Sequence, residues 1–186
     1  MTPAPRMRGL TALQPWPACI AHLGKRTGNR SKPFPPSLVG EDIAIHAGLS
    51  VDANWTGEVP ACTDFASLFA SNAEWDAWRL ANPRRTPRVT AAWPPKLILG
   101  AVVAAGKVTG CHPWSWDKLC GPEHEYTSPS TPGLCSPWVR LGAPWHWELG
   151  DVRPLASPVP CKGARGLWYL PEEASAAVRA QLAAAG

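Results

Sequence analysis

Two groups of residues carry side chains suited to chemistry. The first is Lys25-Arg-Thr-Gly-Asn-Arg30, which follows Gln14-Pro-Trp-Pro-Ala-Cys-Ile-Ala-His-Leu-Gly24. Pro15 and Pro17 are tolerated only in the first turn of a helix. Trp16, Cys19 or Ile20, and Leu23 then recur at helical spacing, and Gly24 stands where a helix C-cap would. Lys25, Arg26 and Arg30 therefore leave the helix at its C-terminal end. Cations there favour the helix dipole; they equally suit the rim of a pocket for an anion. The second group is Cys111-His112, Cys120, His124 and Cys135, all in one loop-rich stretch. Thiolates and imidazoles within tetrahedral reach suit zinc, and a metal can stabilise a loop with little core of its own. Cys111, His112, Cys120 and Cys135 are the candidate ligands. No Cys-x-x-Cys pair is present and the spacings match no standard finger, so buried unmetallated thiols are the favoured reading, with zinc as the alternative. No cofactor is expected otherwise.

Eleven tryptophans in 186 residues is an excess. Indoles bury large areas while needing one partner for their N–H, so many must be core. Any near the cationic stretch would also stack an unpaired base, at roughly 1–3 kcal/mol per base. Trp16 and Trp147 are the candidates. The chain has no nucleophile elbow, P-loop or dinucleotide fingerprint.

The elements that position these residues are short strands and turns. Twenty-two prolines, sixteen glycines and only 17% charged residues argue against a helical bundle. Residues 1–8 read as a loose tail and 9–186 as a single domain, a length that can bury a real core. Gly9–Leu13 is an apolar strand. Asp42–Ala47 alternates, with Ile43 and Ile45 on one face and Ala44 and His46 on the other. His46 is either a hydrogen-bonded structural residue or a pocket residue. Residues 49–95 form an insertion, with a helix expected from Asp64 to about Leu80 and a basic, proline-bearing loop at Asn82–Arg88. Leu97–Val108 reads as a buried strand pair, with Gly100, Gly106 and Gly110 permitting bends. Trp145, Trp147 and Leu149 share one strand face, and His146 and Glu148 the other. Gly166–Leu170 is a closing strand, and Glu172–Ala184 a terminal helix after Pro171.

Gln14-Pro-Trp followed by Lys25-Arg-Thr-Gly-Asn-Arg30 resembles the start of an ASCH domain, one of the PUA-like small β-barrels. The family signature is Lys-x-x-Glu-x-Arg; here Gly28 stands at the glutamate. Ile43–Gly48, Gly100–Gly110, Trp145–Leu149 and Pro158–Trp168 continue the resemblance in order. It implies an α+β, mainly β fold: a PUA-like barrel of about six strands, mostly antiparallel, with flanking helices. It also places the strand of His46 beside the opening helix.

The functional expectation is a module that binds RNA or a nucleotide with a modified base. Lys25, Arg26 and Arg30 would meet phosphate, Trp16 and Trp147 would stack the base, and His46 or Gln14 would read its edge. The resemblance also implies an alternative, a small hydrolase acting on a nucleoside such as acetylated cytidine, or a ribonuclease. Lys25, Thr27 and Glu148 would then stand for the family's lysine, hydroxyl and carboxylate, although Gly28 removes the motif acid. An accessory interaction protein without a ligand is the third reading. A net charge of +4 permits phosphate contact without requiring it. The N-terminus lacks the apolar core of a signal peptide, and no apolar run reaches the roughly 20 residues of a membrane span. The expectation is a cytoplasmic protein with no membrane contact; oligomeric state is not legible.

Overall fold

The apolar run Gly9–Leu13 lies inside the first strand, β1 (Arg8–Gln14), and the Pro-Trp-Pro segment turns directly into helix α1 (Trp16–His22). The computed structural model describes residues 5–52, 65–68, 97–114, 135–140 and 142–185. The remaining strands are β2 (Thr27–Arg30), β3 (Asp42–Val51), β4 (Ala101–Pro113), β5 (Trp145–Pro160) and β6 (Leu167–Tyr169), followed by helix α2 (Glu172–Ala184). The fold is α+β and mainly β.

The strands form one six-stranded mixed sheet in the order β2-β5-β4-β3-β1-β6. Only β1 and β3 run parallel, with Leu10 opposite Ile45 and Thr11 opposite His46. The long β4–β5 ladder slips register between Val102 and Ala104, between Ala105 and Lys107, and between Val108 and Gly110. Each slip adds local twist and bend, and the sheet curls into a half-barrel. Gly106 sits at one slip, where a Cβ would lie 3.0 Å from Val152 Cγ2. Leu97–Val108 is thus not a strand pair. It is a short lead-in, turned at Gly100 (φ 67°), that runs into the single strand β4.

The two faces of the sheet bury separate cores. Ile43, Ile45, Leu10, Val108, Trp147 and Leu149 pack under α1 through Ile20 and Ala21. Ala44, Val102, Ala105 and Val159 pack under α2 through Ala174 and Val178. Strand β3 is therefore buried on both faces from Ile43 to Gly48, where alternation predicts one, because α2 covers the Ala44 side. It also continues to Val51, into the expected insertion. The N-terminal tail is shorter than expected: Met7 is buried and its N–H donates to Ser175 Oγ on α2 at 3.1 Å. Phe65–Leu68 is one 3-10 turn; the rest of the expected 64–80 helix and the 82–88 loop lie outside the described residues. Among the described residues, no helix is long and apolar enough to cross a membrane.

Candidate functional site

Lys25 is placed by the end of α1. Gly24 takes a left-handed φ of 68°, which glycine adopts without strain. The chain then doubles back, and Lys25 N bonds to Cys19 O at 3.1 Å. This sends the Lys25 side chain inward, to 4% exposure. Its ammonium lies 5.4 Å from the Trp16 ring centroid and 5.3 Å from that of Trp138, and donates to Trp138 O at 3.4 Å. Among the described residues, no carboxylate accompanies it. Burial lowers the Lys25 pKa to about 8, with Arg30 adding to the fall. Burial conversely pushes the Cys19 thiol up to about 12, so that neighbour is neutral and supplies no counter-charge.

Trp138 enters from the segment Cys135–Arg140, which Asn29 fixes to the sheet edge. Asn29 Nδ2 donates to Trp138 O and Asn29 Oδ1 accepts from Arg140 N, both at 3.0 Å. Asn29 belongs to β2. Beyond the helix end the Lys25–Arg30 stretch thus becomes an edge strand from Thr27, paired antiparallel to β5. Arg30 leans over the Trp147 ring at 5.4 Å, and its buried Nε has no hydrogen-bond partner among the described residues. Gly28 faces the same side: a Cβ there would lie 3.7 Å from that Nε.

Several expected ligand residues are engaged elsewhere. Gln14 is fully buried; its Nε2 donates to Ile98 O at 2.6 Å and its Oε1 accepts from Ala18 N at 3.3 Å. It braces α1, with no amide edge left for a base. Arg26 Nη1 donates to Ile20 O and Lys25 O, closing the carbonyl end of the helix. Trp147 is core: its ring packs edge-on against Phe34 and its N–H donates to Lys32 O at 2.9 Å. Trp16 remains part-exposed, with its N–H held by Asp52 at 2.7 Å.

His46 lies on the α2 face of the sheet, away from Lys25. Its Nε2 lies 3.0 Å from Cys161 O, which only accepts, so Nε2 carries the proton. Its Nδ1 then accepts from Thr11 Oγ1 at 3.3 Å, and Thr11 in turn accepts from Trp168 Nε1 at 3.0 Å. The ring is a satisfied structural histidine, and burial lowers its pKa.

A second constellation forms across the β4–β5 ladder, where His112 stands opposite His146. Their rings meet edge-on at 5.5 Å, and Cys135 Sγ lies 3.7 Å from His146 Nδ1. The ligand atoms of His112, Cys135 and His146 all lie within 4.8 Å of one another, a set that could hold a metal ion. Glu148 projects on the same face and its Oε1 lies 2.9 Å from His112 Nδ1. Glu148 is thus paired with His112 rather than with Lys25, although its backbone stands opposite the buried Thr27 in the ladder. Cys111 points to the opposite face, where its sulfur accepts from Phe34 N at 3.3 Å. Cys120 and His124 lie outside the described residues.

Sequence reasoning missed Trp138, Asn29 and His146 as site residues. Trp138 sits in an aperiodic Cys-Ser-Pro-Trp run, which carries no positional signal. His146 was legible as a partner of Glu148 on one strand face, but only ladder register brings His112 beside it.

Known protein-family models give no match to this chain, and no curated protein matches it. The function has to be read from the chemistry of the two constellations.

Proposed function

We propose that the chain is a PUA-like, ASCH-type module that binds RNA or a nucleotide carrying a modified base. The carrying observation is Lys25, buried between two indoles with no carboxylate beside it among the described residues. A buried cation is costly unless an anion accompanies it. A phosphate supplies that charge, and the part-exposed ring of Trp16 supplies a stacking surface directly against the ammonium. Arg30, whose buried Nε has no partner among the described residues, gives a second donor of the same sign. A cytoplasmic location accords with such a ligand.

The hydrolase reading keeps one specific support: a Lys25 pKa of about 8 is in the range of a lysine base. Its expected carboxylate, Glu148, is bound to His112, so the acid partner of Lys25 and Thr27 is missing from the described residues.

The test is a tryptophan-fluorescence titration with short single-stranded RNA and with free nucleotides at two salt concentrations. Lys25→Ala/Arg30→Ala serves as the comparison. Salt-sensitive quenching that the double variant lacks supports the binding reading. Equal quenching in both proteins overturns it. No quenching by any ligand favours the interaction-protein reading, and turnover of an acetylated nucleoside or RNA favours the hydrolase.

A further inference from the structure

We propose that His112, Cys135 and His146 form a zinc site that clamps the Cys135–Arg140 segment onto the β4–β5 ladder. Three observations converge on it. The first is donor chemistry: two imidazoles and one thiolate suit zinc, with its tetrahedral preference. The second is distance. Zn–S and Zn–N bonds of about 2.3 and 2.0 Å imply tetrahedral edges of about 3.5 Å between ligand atoms. Cys135 Sγ and His146 Nδ1 already stand 3.7 Å apart, and all three ligand atoms lie within 4.8 Å.

The third observation is Glu148. Metal-bound histidines commonly give their other ring nitrogen to a carboxylate, which fixes tautomer and ring orientation. Glu148 Oε1 sits 2.9 Å from His112 Nδ1, which assigns coordination of the metal to Nε2. Gly110 accommodates this arrangement, since a Cβ there would lie 2.6 Å from Glu148 Oε2.

The elements explain why a clamp is useful. His112 and His146 are cross-strand partners on a rigid ladder, whereas Cys135 belongs to a short irregular segment. Trp138 anchors the middle of this segment in the cluster of Ala18, Cys19, Leu68 and Leu97, whereas among the described residues Cys135 shares only a small cluster with Trp114 and Val139. Zinc binding displaces the Cys135 thiol proton to solvent and leaves a thiolate on the metal. Three of the four tetrahedral corners are filled by the described residues, and water is a sufficient fourth ligand. The same segment delivers Trp138 to Lys25, so the metal steadies one of the two indoles that flank the ammonium.

The test begins with metal-free protein, titrated with zinc and separately with cobalt(II). The expected result is one metal per chain, with a cobalt spectrum showing tetrahedral bands and a thiolate charge-transfer band. Cys135→Ser should abolish that charge-transfer band, and His146→Ala should lose stoichiometric zinc. Cys111→Ser should keep both. Glu148→Gln should retain the ligands but weaken zinc affinity by about 10–100-fold. Because a ligand variant can fail to fold, wild-type protein is also alkylated with and without zinc and mapped by mass spectrometry. Zinc should slow modification of Cys135 and leave Cys161 unchanged. Failure of wild type to retain zinc, or equal alkylation of Cys135 with and without it, overturns the proposal. So does a folded Cys135→Ser variant with an unchanged cobalt spectrum.

Discussion

Trp138 meets Lys25 with both of its ends: the carbonyl oxygen lies 3.4 Å from Nζ and the indole centroid 5.3 Å from it. The residue supplies a lone pair and a π-face to the ammonium, but no formal charge. This partial solvation explains how Lys25 is tolerated against Trp16 and Trp138, which pack into the apolar cluster of Cys19, Leu68 and Leu97, and why its pKa nonetheless falls.

Lys25→Met should therefore raise stability while removing anion binding. The folded pKa of about 8 lies below the ordinary 10.5, so the unfolded chain binds more protons between those values. Wild-type stability should rise with pH across that window, by the linkage of proton uptake to unfolding. Below it the penalty is fully present, and Lys25→Met should gain roughly 1–3 kcal/mol at pH 7. Urea unfolding at pH 7 and pH 10 checks both the gain and its disappearance. A variant less stable than wild type at pH 7 would show that Trp138 and the two rings solvate the ammonium fully.

Gly28 stands beside Arg30, where a Cβ would lie 3.7 Å from Nε. A Cβ at this position meets only ordinary contacts, the nearest being Trp147 Cβ at 3.6 Å, so Gly28→Ala should change stability by less than about 1 kcal/mol. Gly28→Glu brings a carboxylate to the side of Arg30 Nε. It should lower affinity for an anionic ligand at least tenfold, about 1.4 kcal/mol, by supplying an internal counter-charge. Fluorescence titration of the two variants separates the steric effect from the electrostatic one.

His46 should make the fold acid-sensitive. Its neutral ring accepts from Thr11 and donates to Cys161 O, and protonation at Nδ1 removes the acceptor for the Thr11 hydroxyl proton. Because burial lowers its folded pKa below the usual 6.5, its contribution is complete above that value and falls away as pH drops below it. His46→Phe should flatten this part of the pH profile measured by thermal unfolding.

The approach of Gly163 to the same ring is a separate constraint. A Cβ there would stand 2.4 Å from His46 Cε1 and 2.9 Å from Thr11 Oγ1. Gly163→Ala should cost about 1–3 kcal/mol by displacing the ring. Calorimetry on this variant and on Thr11→Val, expected to lose about 1 kcal/mol, tests whether the hydrogen-bonded chain acts as a unit.

Buried Gln14 is a further structural residue at the entry to α1. Gln14→Leu removes the donor to Ile98 O and the acceptor for Ala18 N. It should destabilise the protein by about 1–3 kcal/mol through the orphaned backbone groups. Ligand affinity measured on the folded fraction should stay unchanged, which distinguishes a bracing role from reading of a base.

Local chemistry made much of this molecule legible in advance. The period-two pattern of Trp145–Leu149 assigned the faces of β5, and Pro171 with the alanine-rich run delimited α2 from Glu172 to Ala184. Prolines at the start and Gly24 at the end marked α1, and with it the point where Lys25 leaves the helix. These features depend on neighbours along the chain, whose periodicity and backbone preferences act over a few residues. Tertiary structure alone decided which side chains meet. Thr27–Arg30 became a strand because β5 offered an edge, and β3 was buried twice because α2 covered its second face. The pairing of His112 with His146, and the arrival of Trp138 at Lys25, depend on ladder register and on an aperiodic segment folding back. Such contacts join residues far apart in the chain, and no local period records them.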